Sequence, residues 1–79
     1  MKVTVISCNI YSTYLNNYVK VELAYPLRSY EYALTMFIRE YPECANRRIF
    51  TSYEFDSDDK PDLYNAFKHS GCIRTDSIY

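Results

Sequence analysis

A change of hydrophobic period, fenced by prolines, most constrains what this chain can fold into. Between Pro26 and Pro42, the residues Tyr30, Ala33, Leu34, Phe37, Ile38 and Tyr41 recur at the spacing of one helix face. Before Pro26, residues 18–25 (YVKVELAY) alternate instead, with Val19, Val21, Leu23 and Tyr25 on one face and Tyr18, Lys20, Glu22 and Ala24 on the other. That two-residue period belongs to a half-buried strand. Proline lacks the N–H that a ladder needs and is excluded from a helix interior. Pro26 therefore ends the strand and Pro42 the helix. Ser29 supplies an N-cap oxygen, and Glu31 puts negative charge where the helix dipole favours it. A helix over 29–41 follows.

The rest of the chain repeats this contrast. Residues 3–11 (VTVISCNIY) are β-branched and read as a first strand, joined to the second by a turn through STYLNN. RIFTSYEF (48–55) is a third strand. A second helix near 60–69 is expected to be capped by Asp59, with Pro61 in its first turn and Leu63, Ala66 and Phe67 facing inward. Lys68 and His69 complement its C-terminal dipole, and Gly71 is the left-handed stop. The tail CIRTDSIY supplies a fourth strand of weaker pattern. The expected fold is α+β: a single domain over 1–79, a two-layer sandwich in the order ββαβαβ, with both helices on one face of a mixed four-stranded sheet.

Composition then bears on function. Ten tyrosines, one glycine and no tryptophan occur in 79 residues. Tyrosine buries a large ring but keeps its hydroxyl bonded or wet, so it collects at half-buried places and interfaces. A domain of this length buries roughly 25 residues well, fewer than its 48% hydrophobic content supplies, so aromatic side chains must reach the surface. One glycine leaves little material for phosphate-cradling loops. A net charge of −1 excludes binding to polyanions by bulk charge, and equally an acidic mimic of nucleic acid. Three cysteines without a CxxC pair read as reduced intracellular thiols. The N-terminal apolar run is too short for a membrane span or a signal segment, so a cytoplasmic protein with no membrane role is expected.

Candidate chemistry is sparse. His69 and Cys72, with Cys8 or Cys44, offer at best one close ligand pair where structural zinc uses two. Cys72 beside His69 lacks an orienting group for nucleophilic catalysis. The acidic loop of Asp56, Asp58, Asp59 and Asp62 fails as a calcium loop: counted from Asp56, Lys60 takes the fifth position, no glycine takes the sixth, and Phe67 stands where the bidentate glutamate belongs. No metal, no cofactor and no enzymatic activity are expected.

Two surfaces stand out. Counting about 100° per residue from Tyr30, Leu34, Phe37 and Tyr41 gather with Tyr30 on a core side, while Tyr32, Met36 and Arg39 fall near 200°, 240° and 180°. Those three residue types are enriched in interface cores. Tyr14 and Tyr18, with Tyr11, form the second cluster around the first turn, where rigid rings make good anchors. A basic set, Arg28, Arg47 and Arg48, could instead grip a phosphate backbone while tyrosines stack on bases.

In size and tyrosine content the chain resembles small α+β proteins of bacteriophages and mobile elements, many of which bind and inhibit a host or defence protein. The resemblance implies a non-enzymatic interaction module, an inhibitor of anti-CRISPR or anti-restriction type acting by steric occlusion through Tyr14, Tyr18, Tyr32, Met36 and Arg39. Its partner is then a protein, with a second copy of the chain as a further option. The alternative is a small nucleic-acid-binding regulator that uses Arg28, Arg47 and Arg48.

Overall fold

The long strand β1, Lys2–Ser12, turns at residues 13–16 into β2, Asn17–Pro26, and the two pair antiparallel along their full length, from Val3 opposite Pro26 to Ser12 opposite Asn17. A computed structural model describes residues 1–46 and 50–75. The turn places Asn16 at φ 53°, in the left-handed region that asparagine tolerates better than most side chains. The Tyr11 hydroxyl donates to the Asn16 side-chain oxygen, and the Leu15 N–H donates to Ser12 Oγ at 3.2 Å. The expected hairpin is therefore present, with its turn held by side chains at both ends.

β3, Phe50–Asp56, pairs antiparallel with the other edge of β1, giving a three-stranded sheet in the order β2-β1-β3. β1 lies in the middle, and all six residues from Val3 to Cys8 are buried. Continuous burial along a strand means that both faces are covered. Val3 and Val5 point to one side, where they meet Ala24, Phe55 and Phe67 of the helix α2, Pro61–His69. Ile6 and Cys8 point to the other and pack with Leu23, Tyr25, Cys44, and Ala33 and Phe37 of the helix α1, Tyr30–Glu40. Cys44 comes from a short 3-10 helix, Pro42–Asn46, that follows α1.

The helices thus cover opposite faces, which corrects the expected arrangement of both on one face. The physical reason lies in β1 itself: VTVISC does not alternate, and such a run needs cover on both sides. Its two polar members are satisfied where they are buried. Thr4 Oγ1 donates to the Arg28 carbonyl at 2.8 Å, and the Ser7 and Thr51 hydroxyls bond to each other.

Both helices form where expected, with one correction at a cap. Ser29 Oγ accepts from the Tyr32 N–H at 3.2 Å, as an N-cap should. At α2 the cap position is Lys60, with no side-chain cap bond, so Asp59 does not cap. Pro61 compensates in part, because its missing N–H leaves one fewer donor to satisfy. The other end is a Schellman close: the Cys72 N–H reaches the Phe67 carbonyl at 3.0 Å, the Gly71 N–H reaches Lys68 at 3.2 Å, and Gly71 sits at φ 74°.

The expected fourth strand is reduced to a single parallel bridge between Ile73 and Ala24, through Ala24 N–H to the Cys72 carbonyl at 2.9 Å and Arg74 N–H to the Ala24 carbonyl at 2.8 Å. Among the described residues the sheet is accordingly antiparallel and three-stranded, not mixed and four-stranded. Beyond the bridge, Arg74 is drawn to α1 and grips Glu40 with two bonds, at 2.9 and 2.7 Å. The beginning of the expected third strand at Arg48 and the end of the tail from Asp76 onward lie outside the described residues.

Phe37 is fully buried, in ring contact with Tyr41 and Phe50. Its replacement by Ala is expected to cost about 3–5 kcal/mol in urea denaturation, whereas Tyr14→Ala, at a solvated turn, should stay within about 0.5 kcal/mol.

The Glu40–Arg74 pair gives a pH signature. Hydrogen bonds from Arg74 hold the Glu40 carboxyl below its usual range. A depressed carboxyl contributes fully above the ordinary glutamate pKa of about 4.3 and loses that contribution as pH falls through the lowered folded value. With both side chains more than a third exposed, the gain is screened and stays under about 1 kcal/mol. The stability difference between the protein and Glu40→Gln, measured at neutral pH, should therefore vanish by about pH 2.

Candidate interaction surface

Among the described residues β3 pairs with Lys2 to Cys8, and beyond Cys8 β1 and β2 pair with each other on to the turn. Four residues on each strand, at about 3.3 Å each, carry the turn roughly 13 Å beyond the Cys8–Phe50 pair. The molecule is correspondingly long in one direction, 37 Å against 24 and 23 Å. At the tip, Tyr14 is 94% exposed and Leu15 60%. Behind them, Tyr11 and Tyr18 face each other across the strands, ring centroids 5.2 Å apart and edge to face. A bare ribbon is marginally stable in water. This aromatic pair, with the Tyr11–Asn16 bond, stiffens it.

The ribbon is continuous with an open half of the sheet. α2 has nine residues and packs on Val3, Val5, Ala24 and Phe55 on its side, with its flank reaching Glu22. Beyond it, the same face presents Ser7 and Asn9 of β1, Lys20 and Glu22 of β2, and Thr51 and Tyr53 of β3. A hollow of about 250 Å³ is lined by Ser7, Cys8, Asn9, Lys20 and Thr51. Lys20 and Glu22 pair at 3.7 Å along one wall. Burial first, and then the charge of Glu22, pushes the Tyr53 hydroxyl above its usual range, so it stays protonated and can donate. Tyr11, Tyr18 and Tyr53 lie on the same sheet face as this hollow, with Tyr14 at the turn beyond.

Tyr14 and Tyr18 belong to this surface. Tyr32, Met36 and Arg39 do not, because α1 lies on the other face of the sheet. The helix phase also differs from the one read from spacing. Ala33 and Phe37 form its buried centre, Tyr30 is exposed, and Met36 is half-buried against the α1 cluster. Anchoring the phase on Tyr30 misleads because Tyr30 occupies the first turn, while Ala33, small enough for close approach, sets the contact. Tyr32 is 37% exposed, with the Arg28 guanidinium carbon 4.8 Å above its ring centroid, and Arg39 is exposed. The two expected clusters are therefore separate surfaces. Spacing on the hairpin singled out Tyr14 and Tyr18, but Leu15, Tyr53 and the polar hollow became apparent only from the register.

Of the basic set, Arg28 is half-buried beside Tyr32, and Arg47 and Arg48 lie outside the described residues. Among the described residues no group of three or more His, Cys, Asp or Glu is placed to hold a metal ion. Cys8 and Cys44 are buried and Cys72 half-buried, all three as thiols. The acidic loop is engaged internally. Asp56 Oδ1 accepts the Asp58 N–H at 2.8 Å and the Met1 amino group at 3.1 Å, and these bonds hold its carboxyl below the usual range. No helix among the described residues is long and apolar enough to cross a membrane. Compared with known proteins, the chain matches no family model, no curated protein and no solved structure.

Proposed function

We propose that this chain is a small, non-enzymatic interaction module that docks its tyrosine-bearing hairpin arm on a protein partner and blocks that partner by occlusion. The observation that carries the reading is the arm's end: Tyr14 and Leu15, both large and apolar, stand in solvent at the hairpin turn. Rigid aromatics so placed give a large contact area for little lost side-chain entropy. The open sheet face behind the tip adds Tyr11, Tyr18 and Tyr53 around polar groups, the mixture typical of recognition surfaces. Resemblance in size and composition to phage and mobile-element proteins extends the proposal to an inhibitor of a host or defence protein, of anti-CRISPR or anti-restriction type, working in the cytoplasm.

The test is capture of the partner from bacterial lysate on the immobilised protein, followed by affinity measurements on arm variants. The double variant Tyr14→Ala, Leu15→Ala should keep its thermal midpoint yet bind about 30-fold more weakly, since losing an interface anchor commonly costs about 2 kcal/mol. Binding should tolerate added salt. If affinity instead falls steeply with salt and the captured partner is nucleic acid, the regulator built on Arg28, Arg47 and Arg48 is the correct alternative. If Tyr32→Ala with Arg39→Ala abolishes capture and the arm variant does not, the docking surface lies on α1 and the arm proposal fails.

A further inference from the structure

β3 is an edge strand: among the described residues it pairs with β1 on one side and with nothing on the other. The register fixes which of its backbone groups face outward. The Ser57 N–H reaches the Met1 carbonyl at 2.8 Å, so the odd-numbered residues turn their N–H and C=O toward β1. Alternation sends those of Phe50, Ser52, Glu54 and Asp56 the other way. The Asp56 carbonyl is taken by the Asp59 and Lys60 N–H groups, at 3.1 and 3.0 Å. Thr51, Ser52, Tyr53 and Glu54 are all exposed, so the groups between stand open to solvent.

An open row of this kind is a template for another strand, and proteins ordinarily blunt it. The β2 edge is blunted near its end, where the Cys72 carbonyl and the Arg74 N–H occupy the outward groups of Ala24. The β3 sequence, FTSYEFD, carries neither proline nor lysine. Its two carboxylates are matched within the same chain, Glu54 by Lys2 at 3.7 Å and Asp56 by the Met1 amino group at 3.1 Å. Two such edges therefore meet without the repulsion that bare carboxylates would bring.

The strand is also complementary to itself. In an antiparallel pair of copies, outward groups match outward groups only when the twofold axis passes through a residue. An axis through Tyr53 overlaps all seven residues, whereas one through Ser52 or Glu54 overlaps five and, at Glu54, sets two carboxylates opposite each other. With the axis at Tyr53, Ser52 faces Glu54 of the second copy, and Glu54 faces its Ser52. These two hydrogen-bonded pairs make four backbone bonds, and each Ser52 hydroxyl lies beside a carboxylate it can donate to. Tyr53 meets its own copy in a non-hydrogen-bonded pair, where side chains approach most closely and aromatic pairs are favourable.

We propose that β3 pairs antiparallel with β3 of a second copy about an axis through Tyr53, joining two sheets into one of six strands. The interface is isologous, as twofold dimers require. It uses the β3 backbone and not the hairpin turn, so it stands or falls separately from the arm.

Sedimentation equilibrium over about a hundredfold range of protein concentration tests it, with a monomer–dimer equilibrium as the expected result. Ser52→Glu sets like charges opposite each other twice per dimer and should raise the dimer Kd about tenfold, whereas Ser52→Lys sets opposite charges there and should lower it. Ser52→Pro removes an outward N–H, which an edge strand tolerates, and should leave a folded monomer. The double variant Tyr14→Ala, Leu15→Ala should dimerise like the parent. Hydrogen exchange of the parent's Ser52 and Glu54 amides should slow at least tenfold from the dilute to the concentrated end, a readout that needs no variant to fold. A chain that stays monomeric across the range overturns the proposal. So does a dimer indifferent to both Ser52 charges, one whose Ser52 and Glu54 amides exchange equally at both ends, or one that the turn variant abolishes.

Discussion

A strand covered on both sides must hide every side chain it carries, and Val3 to Cys8 do so without interruption. This two-sided burial of β1 organises the rest of the molecule. Because β1 is central, one hairpin and one returning strand complete the sheet, and because its side chains alternate, each helix is assigned a face. Odd positions meet α2 and even positions meet α1, giving two apolar clusters separated by the sheet. Cys72 packs against both, where the chain leaves α2 and crosses to the edge of β2. In a chain this short, sharing one strand between two clusters lets a single backbone segment supply both, its alternate side chains going to opposite faces.

Elements whose information is local were legible in the sequence. Ser29 and Pro42 bounded α1, Gly71 closed α2, and Asn16 with Asn17 marked the hairpin turn, because each of those signals acts within a few residues of itself. What depends on distant partners was not. Whether α1 and α2 share a face is decided by the covering of Val3, Val5, Ile6 and Cys8, and the unbroken apolar run in β1 was the available hint. Among the described residues the tail makes a single bridge to β2, and Arg74 there bonds Glu40, a residue 34 positions earlier in the chain. The phase of α1 was misread for a similar reason. Tyrosine counts as apolar in a spacing pattern, yet Tyr30 stays at the surface while Ala33 takes the contact.

For the surface, residue type was readable and grouping was not. Tyr14 and Tyr18 announced themselves as rings in or beside a loop. Their union with Tyr53 and the hollow over Ser7 and Thr51 follows from the β1–β3 register and from the short reach of α2. The outer edge of β3 has still less trace in sequence. RIFTSYEF reads as a strand, but nothing local reveals which of its residues turn their backbone groups away from β1.

The division between body and arm also bears on how such a chain can change over generations. Its stability resides where β1 has neighbours on both sides, while the turn residues Tyr14 and Leu15 lie outside both apolar clusters. Substitutions at the tip are therefore largely hidden from selection for folding and visible only to selection for binding. A lineage built this way can vary its exposed tip repeatedly while its core stays constant.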